Sequence, residues 1–523
     1  MQMIHLRSVI GILTLGLLTV SHGFTLRMSK PHVVVVGAGW GGWGAAKALC
    51  ENGCKVTIID SLPDPTGSTP YTTPSGKPFE AGTKGFWKDY PNIEALVHGL
   101  NLNEDEVFTP FTNSSFYSPY GLEATAPVFS SSSFPQLPSP LGQVFASAKL
   151  FERLPLADRA SMAGLLYMML DYNRDEDTFK AYDRMSAHEL FIRAKVSPRL
   201  VEDFLKPTLL VGLFKPPEEL SAAVMMELLY YYALAHQTSF DVRWIRQKSI
   251  SEMIISPLAL SLSLSHDLTV LGGCRVESLS LDEAQQTVTS LVYSQADRPV
   301  SPVTPPPPTN SSPLSSSLSS SLSSEDTESL NTTTSTTPST TTTTPTTPST
   351  STTPATSPTN NPPINPSPPP PSPSSPRSYT TIEGIDACVL ALGAKGMKAV
   401  LGGSPSLAAR SPELSAAASL GGIDVMACRL WLNKRVSSRS PVNVFSRFSG
   451  LRGAGGTFFF LDQLQGGTRE RERELWGGEE PEGSVIACDF YNAGALLPLS
   501  NEDIVTLLIE ELLPSAVPAF KGV

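Results

Sequence analysis

The clearest pattern of apolar and polar positions lies near residue 32. His32–Val36 is an apolar, β-branched run of the kind that forms a strand buried on both faces. A glycine-rich turn follows at once, Gly37-Ala38-Gly39-Trp40-Gly41-Gly42. Residues 43–52 then place Trp43, Ala46, Leu49 and Cys50 on one helical face, and Asn52-Gly53 ends the helix. Val56–Ile59 is a second apolar run, closed by Asp60. Strand, glycine turn, helix, strand and terminal acid are the parts of a dinucleotide-binding unit. Gly37 permits the tight turn, Gly39 allows backbone to approach a pyrophosphate, and Gly42 lets helix and strand pack closely. The helix N-terminus offers free N–H groups to the phosphates. Asp60 stands where an acid accepts hydrogen bonds from the ribose.

Farther along, the apolar pattern predicts a helix from Ile93 to Leu100 and strands at Asp267–Val270, Cys274–Val276, Thr287–Tyr293 and Asp386–Leu392. It predicts three more strands, Asp424–Asn433, Thr457–Asp462 and Ser484–Tyr491, and a closing helix, Asn501–Leu513. Ser186 and Glu189 have the spacing of a capping box.

Two stretches break the globular pattern. Residues 1–23 carry Arg7, the apolar run Val9–Val20 and small residues at Ser21 and Gly23, as in a signal peptide. The basic, acid-free segment Phe24–Lys30 after it resembles the two-part leaders of plastid-targeted proteins in algae with secondary plastids; secretion is the alternative. Residues 301–376 are almost wholly Ser, Thr and Pro and cannot bury a core, so 297–378 is expected to be a disordered insertion. Sequons at Asn310 and Asn331 would suit glycosylation, with an unmodified insertion or retained intron as the plainer reading.

Composition narrows the function. A net charge of −11 argues against a nucleic-acid partner. Six cysteines without CxxC spacing make neither a disulfide scaffold nor a zinc site, so no metal is expected. No apolar stretch reaches the length of a membrane span, which leaves peripheral membrane contact.

Beyond Asp60 the chain enters an irregular loop, Ser61–Pro78, then Phe79-Glu80-Ala81-Gly82-Thr83-Lys84-Gly85-Phe86 and Tyr90-Pro91-Asn92. Gly76, Glu80, Gly82, Phe86 and Tyr90-Pro91-Asn92 resemble the carotenoid (phytoene/zeta-carotene) desaturase branch of the flavin amine oxidase superfamily. Asp183–Glu189, Phe214–Ser221, Asp241–Trp244 and Ile385–Gly393 continue the resemblance, which spans about residues 32–296 and 379–513. It implies an α/β fold: a Rossmann-like FAD-binding domain with an interleaved α+β substrate domain. The expected division gives the FAD-binding domain residues 31–125, 261–296 and 379–405, and the substrate domain 126–260 and 406–523. FAD is the implied cofactor, held by Gly37, Ala38, Gly39, Trp40, Gly41, Gly42, Asp60, Gly82 and the backbone at Val276. The implied reaction is dehydrogenation or isomerisation of a long apolar carotenoid-like or isoprenoid molecule. A flavin amine oxidase, or a cofactor-poor secreted protein bearing a mucin-like tract, is the alternative.

Catalytic residues are not assigned by the sequence, because a flavin carries the chemistry itself. Lys84 and Lys88 either reach the flavin face or are exposed lysines; Arg243 and Trp244 either border the pocket or are structural. His236 and the apolar stretch with Met225, Met226 and Tyr230–Tyr232 either line a substrate tunnel or form a core helix. The chain departs from the family in having no basic residue between Asp60 and Lys77 to clamp the pyrophosphate. It also shows no closing Gly-Asp element before Val523, the expectation for a gene model that stops short or a protein that has lost tight FAD binding.

Overall fold

The computed structural model describes residues 30–68, 71–131, 135–139, 141–142, 150–282, 287–296 and 377–522. The leader 1–23 and all but the last two residues of the insertion 297–378, the two sequons included, lie outside the described residues. The fold is mixed α/β with a Rossmann-like unit.

Strand His32–Val36 is the hub of a four-stranded parallel sheet in the order Ala387–Leu390, His32–Val36, Lys55–Ile59, Leu268–Leu271. Its alternate residues enter two different cores. Val35 joins Trp43, Ala46 and Cys50 of the first helix, Trp40–Glu51, with Val97 and Ile254 behind them. Val34 and Val36 face the opposite core with Ile59, Val276 and Leu291. This double burial is why the run shows no alternation. The helix begins three residues earlier than its apolar face suggests, because Gly39 is its N-cap and Trp40 to Gly42 already wind.

Against the second face lies a three-stranded meander, Cys274–Asp282, Thr287–Ala296 and Arg377–Glu383. Ala296 and Arg377 are register partners in it. The Ser/Thr/Pro tract therefore connects two paired neighbours, a place where loop length adds little closure cost. The strand Arg377–Glu383 is an addition to the expected elements.

The second sheet has six strands in the order Val425–Trp431, Val485–Tyr491, Gly455–Phe460, Val442–Phe445, Ser114–Ser118, Gly121–Ala126. Ser114–Ser118 runs parallel to Val442–Phe445 and the other pairs are antiparallel. Ser114–Ser118, expected in the nucleotide domain, thus hydrogen-bonds with the C-terminal strand Val442–Phe445, and Gly121–Ala126 follows it as the edge. Nothing local in residues 114–126 distinguishes an edge hairpin of one sheet from that of the other. The helical stretch Asn501–Ala516 covers one face, packing Ile504, Leu508 and Leu512 onto Phe458, Ile486 and Cys488. A helical layer between residues 156 and 234 forms a separate core around Leu190, Leu200 and Met225. Among the described residues no helix is long and apolar enough to cross a membrane.

Candidate cofactor cleft

The glycine turn splits into two pairs with different duties. Gly37 has φ +100°, and a Cβ there would lie 2.4 Å from the Ala391 carbonyl oxygen. A Cβ on Gly42 would lie 1.8 Å from the Gly37 carbonyl oxygen. These two are glycine because backbone touches backbone. Gly39 and Gly41 face open space, with nothing within 4 Å of an added Cβ. No acidic residue stands in the first turn of Trp40–Glu51, so the helix N-terminus is electrostatically open to an anion.

Asp60 closes the cradle. Its carboxylate accepts from the Ala38 N–H at 2.7 Å and the Leu62 N–H at 2.7 Å. Each oxygen retains a lone pair for a ribose hydroxyl. The Asp60 carbonyl accepts from Cys274 N–H at 2.8 Å, which brings the Val276 strand to the same edge. The Val276 side chain is buried in the core, and a β-bulge separates it from Ser278. Only its backbone is left to meet a ligand.

Trp40 links this cradle to the second predicted segment. It is 43% exposed on the turn and meets Phe86 edge-on at 6.4 Å. Phe86 sits in the short strand Gly85–Trp87, paired with Val242–Trp244. Just before it, Gly82 has φ +79°. The structure therefore places the Gly82–Phe86 segment beside the Gly37–Gly42 turn through the Trp40–Phe86 contact. The parts fit the ADP half of a dinucleotide: an open glycine cradle, a helix with no acidic residue in its first turn and an acid with lone pairs to spare.

Several candidates turn out to be occupied elsewhere. Lys84 Nζ folds back onto the Ala81 and Gly82 carbonyls at 2.7 and 3.1 Å. Lys88 lies over the Phe111 ring. Arg243 is paired with Glu104 and stacked on Phe108. Trp244 donates to Thr112 Oγ1 at 2.9 Å and packs on Phe459. Met225 and Met226 are fully buried in the helical core, and His236 is exposed beside Asp89. Lys77, the first basic residue after Asp60, sits over the rings of Trp476 and Trp431 at 4.4 and 5.7 Å.

The six-stranded sheet supplies groups that the sequence pattern does not single out. Asp489 is buried and accepts the Thr83 N–H at 2.8 Å, fixing the Gly82–Gly85 segment to the sheet. Burial pushes its carboxyl above the usual range, partly offset by Thr83, Lys84 and Arg429. Burial likewise raises Glu80, against the pull of Lys84 and Arg429. Arg429 donates through Nη1 to the Pro78 carbonyl at 2.9 Å. The available signal is a single charge in each of two apolar strands, Val425–Trp431 and Val485–Tyr491, since an unpaired charge is rarely placed inside a sheet without a task.

Comparison with known proteins agrees with this architecture. Residues 35–100 match the family described as an NAD(P)-binding Rossmann-like domain. A search of curated proteins found no match. Among solved structures, wild-type putrescine oxidase bound to putrescine is similar at 12% identity and TM-score 0.51, covering 94% of this chain and 83% of that one. A triple mutant of the same oxidase, made to redesign cofactor binding, gives 13% identity and TM-score 0.52 over the same shares. An oxidoreductase from Methanosarcina mazei gives 14% identity and TM-score 0.49, covering 94% and 85%. The chain thus carries a Rossmann-like nucleotide unit within a fold similar to that of putrescine oxidase.

Proposed function

We propose that the protein is an FAD-dependent oxidoreductase. The observation that carries this reading is the cradle in which Gly39 and Gly41 face open space, Asp60 ties down the turn, and Trp40 joins it to Gly82–Gly85. Gly39, Trp40 and Gly41 would hold the pyrophosphate through backbone N–H groups, Asp60 the ribose, and Gly82–Gly85 the edge of the ring system. FAD when bound supplies the hydride acceptor. The chain's own residues position the segment and hold a proton: Asp489 fixes Thr83, and Glu80, raised by burial, keeps its proton to higher pH than an exposed carboxyl.

The finer reading is dehydrogenation or isomerisation of a long apolar isoprenoid, taken from a membrane surface and, with the leader read as plastid-directed, in a plastid. Its support is the resemblance at Gly76, Glu80, Gly82, Phe86 and Tyr90-Pro91-Asn92. The cofactor assignment is tested by gel filtration of the purified chain after incubation with FAD or with NAD⁺. Co-eluting FAD with quenched fluorescence is expected; retention of NAD⁺ alone would overturn the reading. Bleaching of the bound flavin by a carotenoid precursor in vesicles, without air, tests the substrate.

A further inference from the structure

A cleft of about 840 Å³ opens beside Glu80, between the segment Gly76–Glu80, residues 247–252 and the helix Arg469–Leu475. Its inner wall carries Pro78, Phe79, Glu80, Arg429 and Leu475. Arg429 is the group that the surrounding protein leaves incomplete. Its Nε is buried away from the cleft without a hydrogen-bond partner, Nη1 is held by Pro78, and Nη2, with no partner of its own among the described residues, is the edge left to a ligand. Neither Glu80 nor Asp489 closes an ion pair with it, although both act on it through space.

The other charges at the cleft sort by what already holds them. Arg469 and Arg473 are paired with Glu480, and Glu252 accepts from Ser249 N and Oγ at 3.1 Å each. Glu470 and Glu474 are exposed on the outer helix, Arg471 of the same helix is half-buried at the rim, and Lys248 is exposed at the other side. Deep in the cleft the unmet demand is therefore for an acceptor at Arg429. A half-buried guanidinium with an unused N–H at the cleft gains an acceptor when an anion arrives. A carboxylate oxygen at Nη2 would make the charge-assisted hydrogen bond that the protein leaves unmade. The Phe79 ring, 5.8 Å from the guanidinium, and Leu475 offer apolar surface beside it.

We propose that this cleft binds a carboxylate attached to an apolar body, with Arg429 anchoring the carboxylate and Phe79 and Leu475 against the body. The site would give the oxidoreductase a substrate with an anionic end, a role that rests on the redox reading; binding itself does not.

The test uses the full chain, benzoate as probe and benzamide as its neutral isostere, read by tryptophan fluorescence, since Trp476 lies next to Leu475. Benzoate should bind about 10- to 100-fold more tightly than benzamide, the range of a charge-assisted hydrogen bond. Arg429→Gln should erase the preference, and Arg429→Lys should keep part of it. Equal binding of the two probes by the natural chain would overturn the proposal, and that measurement stands even if a variant fails to fold. An unchanged preference in folded Arg429→Gln would also overturn it. Loss of the preference on saturation with FAD would overturn it too, by making the cleft part of the cofactor's seat. If FAD fails to bind while the preference holds, the redox reading falls and the carboxylate site stands.

Discussion

The parallel nucleotide sheet and the six-stranded sheet shape the sites beside them by opposite means. The first uses backbone: glycines that admit close approach, free N–H groups at a helix start and one carboxylate, all within residues 37–60. The second uses side chains from strands far apart in the chain, with Asp489 reaching Thr83 and Arg429 reaching Pro78. A backbone device tolerates no side chain at its tight points and is nearly indifferent to charge. A side-chain device built from buried ionisable groups is sensitive to charge and pH. Substitutions in each device put that contrast to experiment.

The largest effect is expected at Gly42. Valine there would drive Cβ into the Gly37 carbonyl, whose oxygen lies only 1.8 Å from the position that Cβ would take. Gly42→Val should cost about 3 kcal/mol or more, read by urea unfolding or as loss of soluble protein. A stable Gly42→Val would end the claim that backbone contact defines this device. Gly39→Val should behave differently. Its backbone is extended at φ −73° and its Cβ would meet nothing. The stability cost should be about 1 kcal/mol, that of a poor N-cap, or about 2–4 °C in Tm. Co-eluting flavin should be lost. Retained flavin in Gly39→Val would remove the pyrophosphate from this turn.

For the side-chain device, Asp489→Asn keeps an oxygen for the Thr83 N–H and deletes the buried charge. Burial raises the folded pKa of Asp489, so the native state binds its proton more tightly than the unfolded state. Its contribution therefore falls as pH rises from the ordinary carboxylate value through the raised one. The variant should gain stability relative to the natural chain on going from pH 4 to pH 7, measured by unfolding at both. A difference independent of pH would show that Asp489 is not strained by burial. The smallest effect belongs to Lys47→Ala, which removes the exposed Lys47–Glu51 pair on the first helix. It should shift stability by no more than about 0.5 kcal/mol, a baseline for changes that touch neither device.

Much of this architecture is legible in the chain itself. The buried run His32–Val36, the glycine spacing and Asp60 are local signals, because each residue type answers to its immediate neighbours. The later strands at Leu268–Leu271, Val425–Trp431, Gly455–Phe460 and Val485–Tyr491 also follow from apolar runs, to within a few residues. The hairpin Ser114–Ala126 is harder to place, because its position in the chain favours the nucleotide sheet. Its real partner, Val442–Phe445, lies more than three hundred residues away. Met225 and Met226 could equally have lined a tunnel, since an apolar helix looks the same whether it faces a core or a cavity.

Residue types alone specify the nucleotide unit, since a turn that must be glycine and a strand buried on both faces leave their marks residue by residue. Which charges matter is settled by folding. Lys84 and Lys88 are met by carbonyls and a ring that the fold brings to them, and Arg243 by a carboxylate, whereas among the described residues Arg429 closes no ion pair and keeps a buried Nε–H without a partner. Whether a polar group is met or unmet is a property of its surroundings in space, and no spacing along the chain records it.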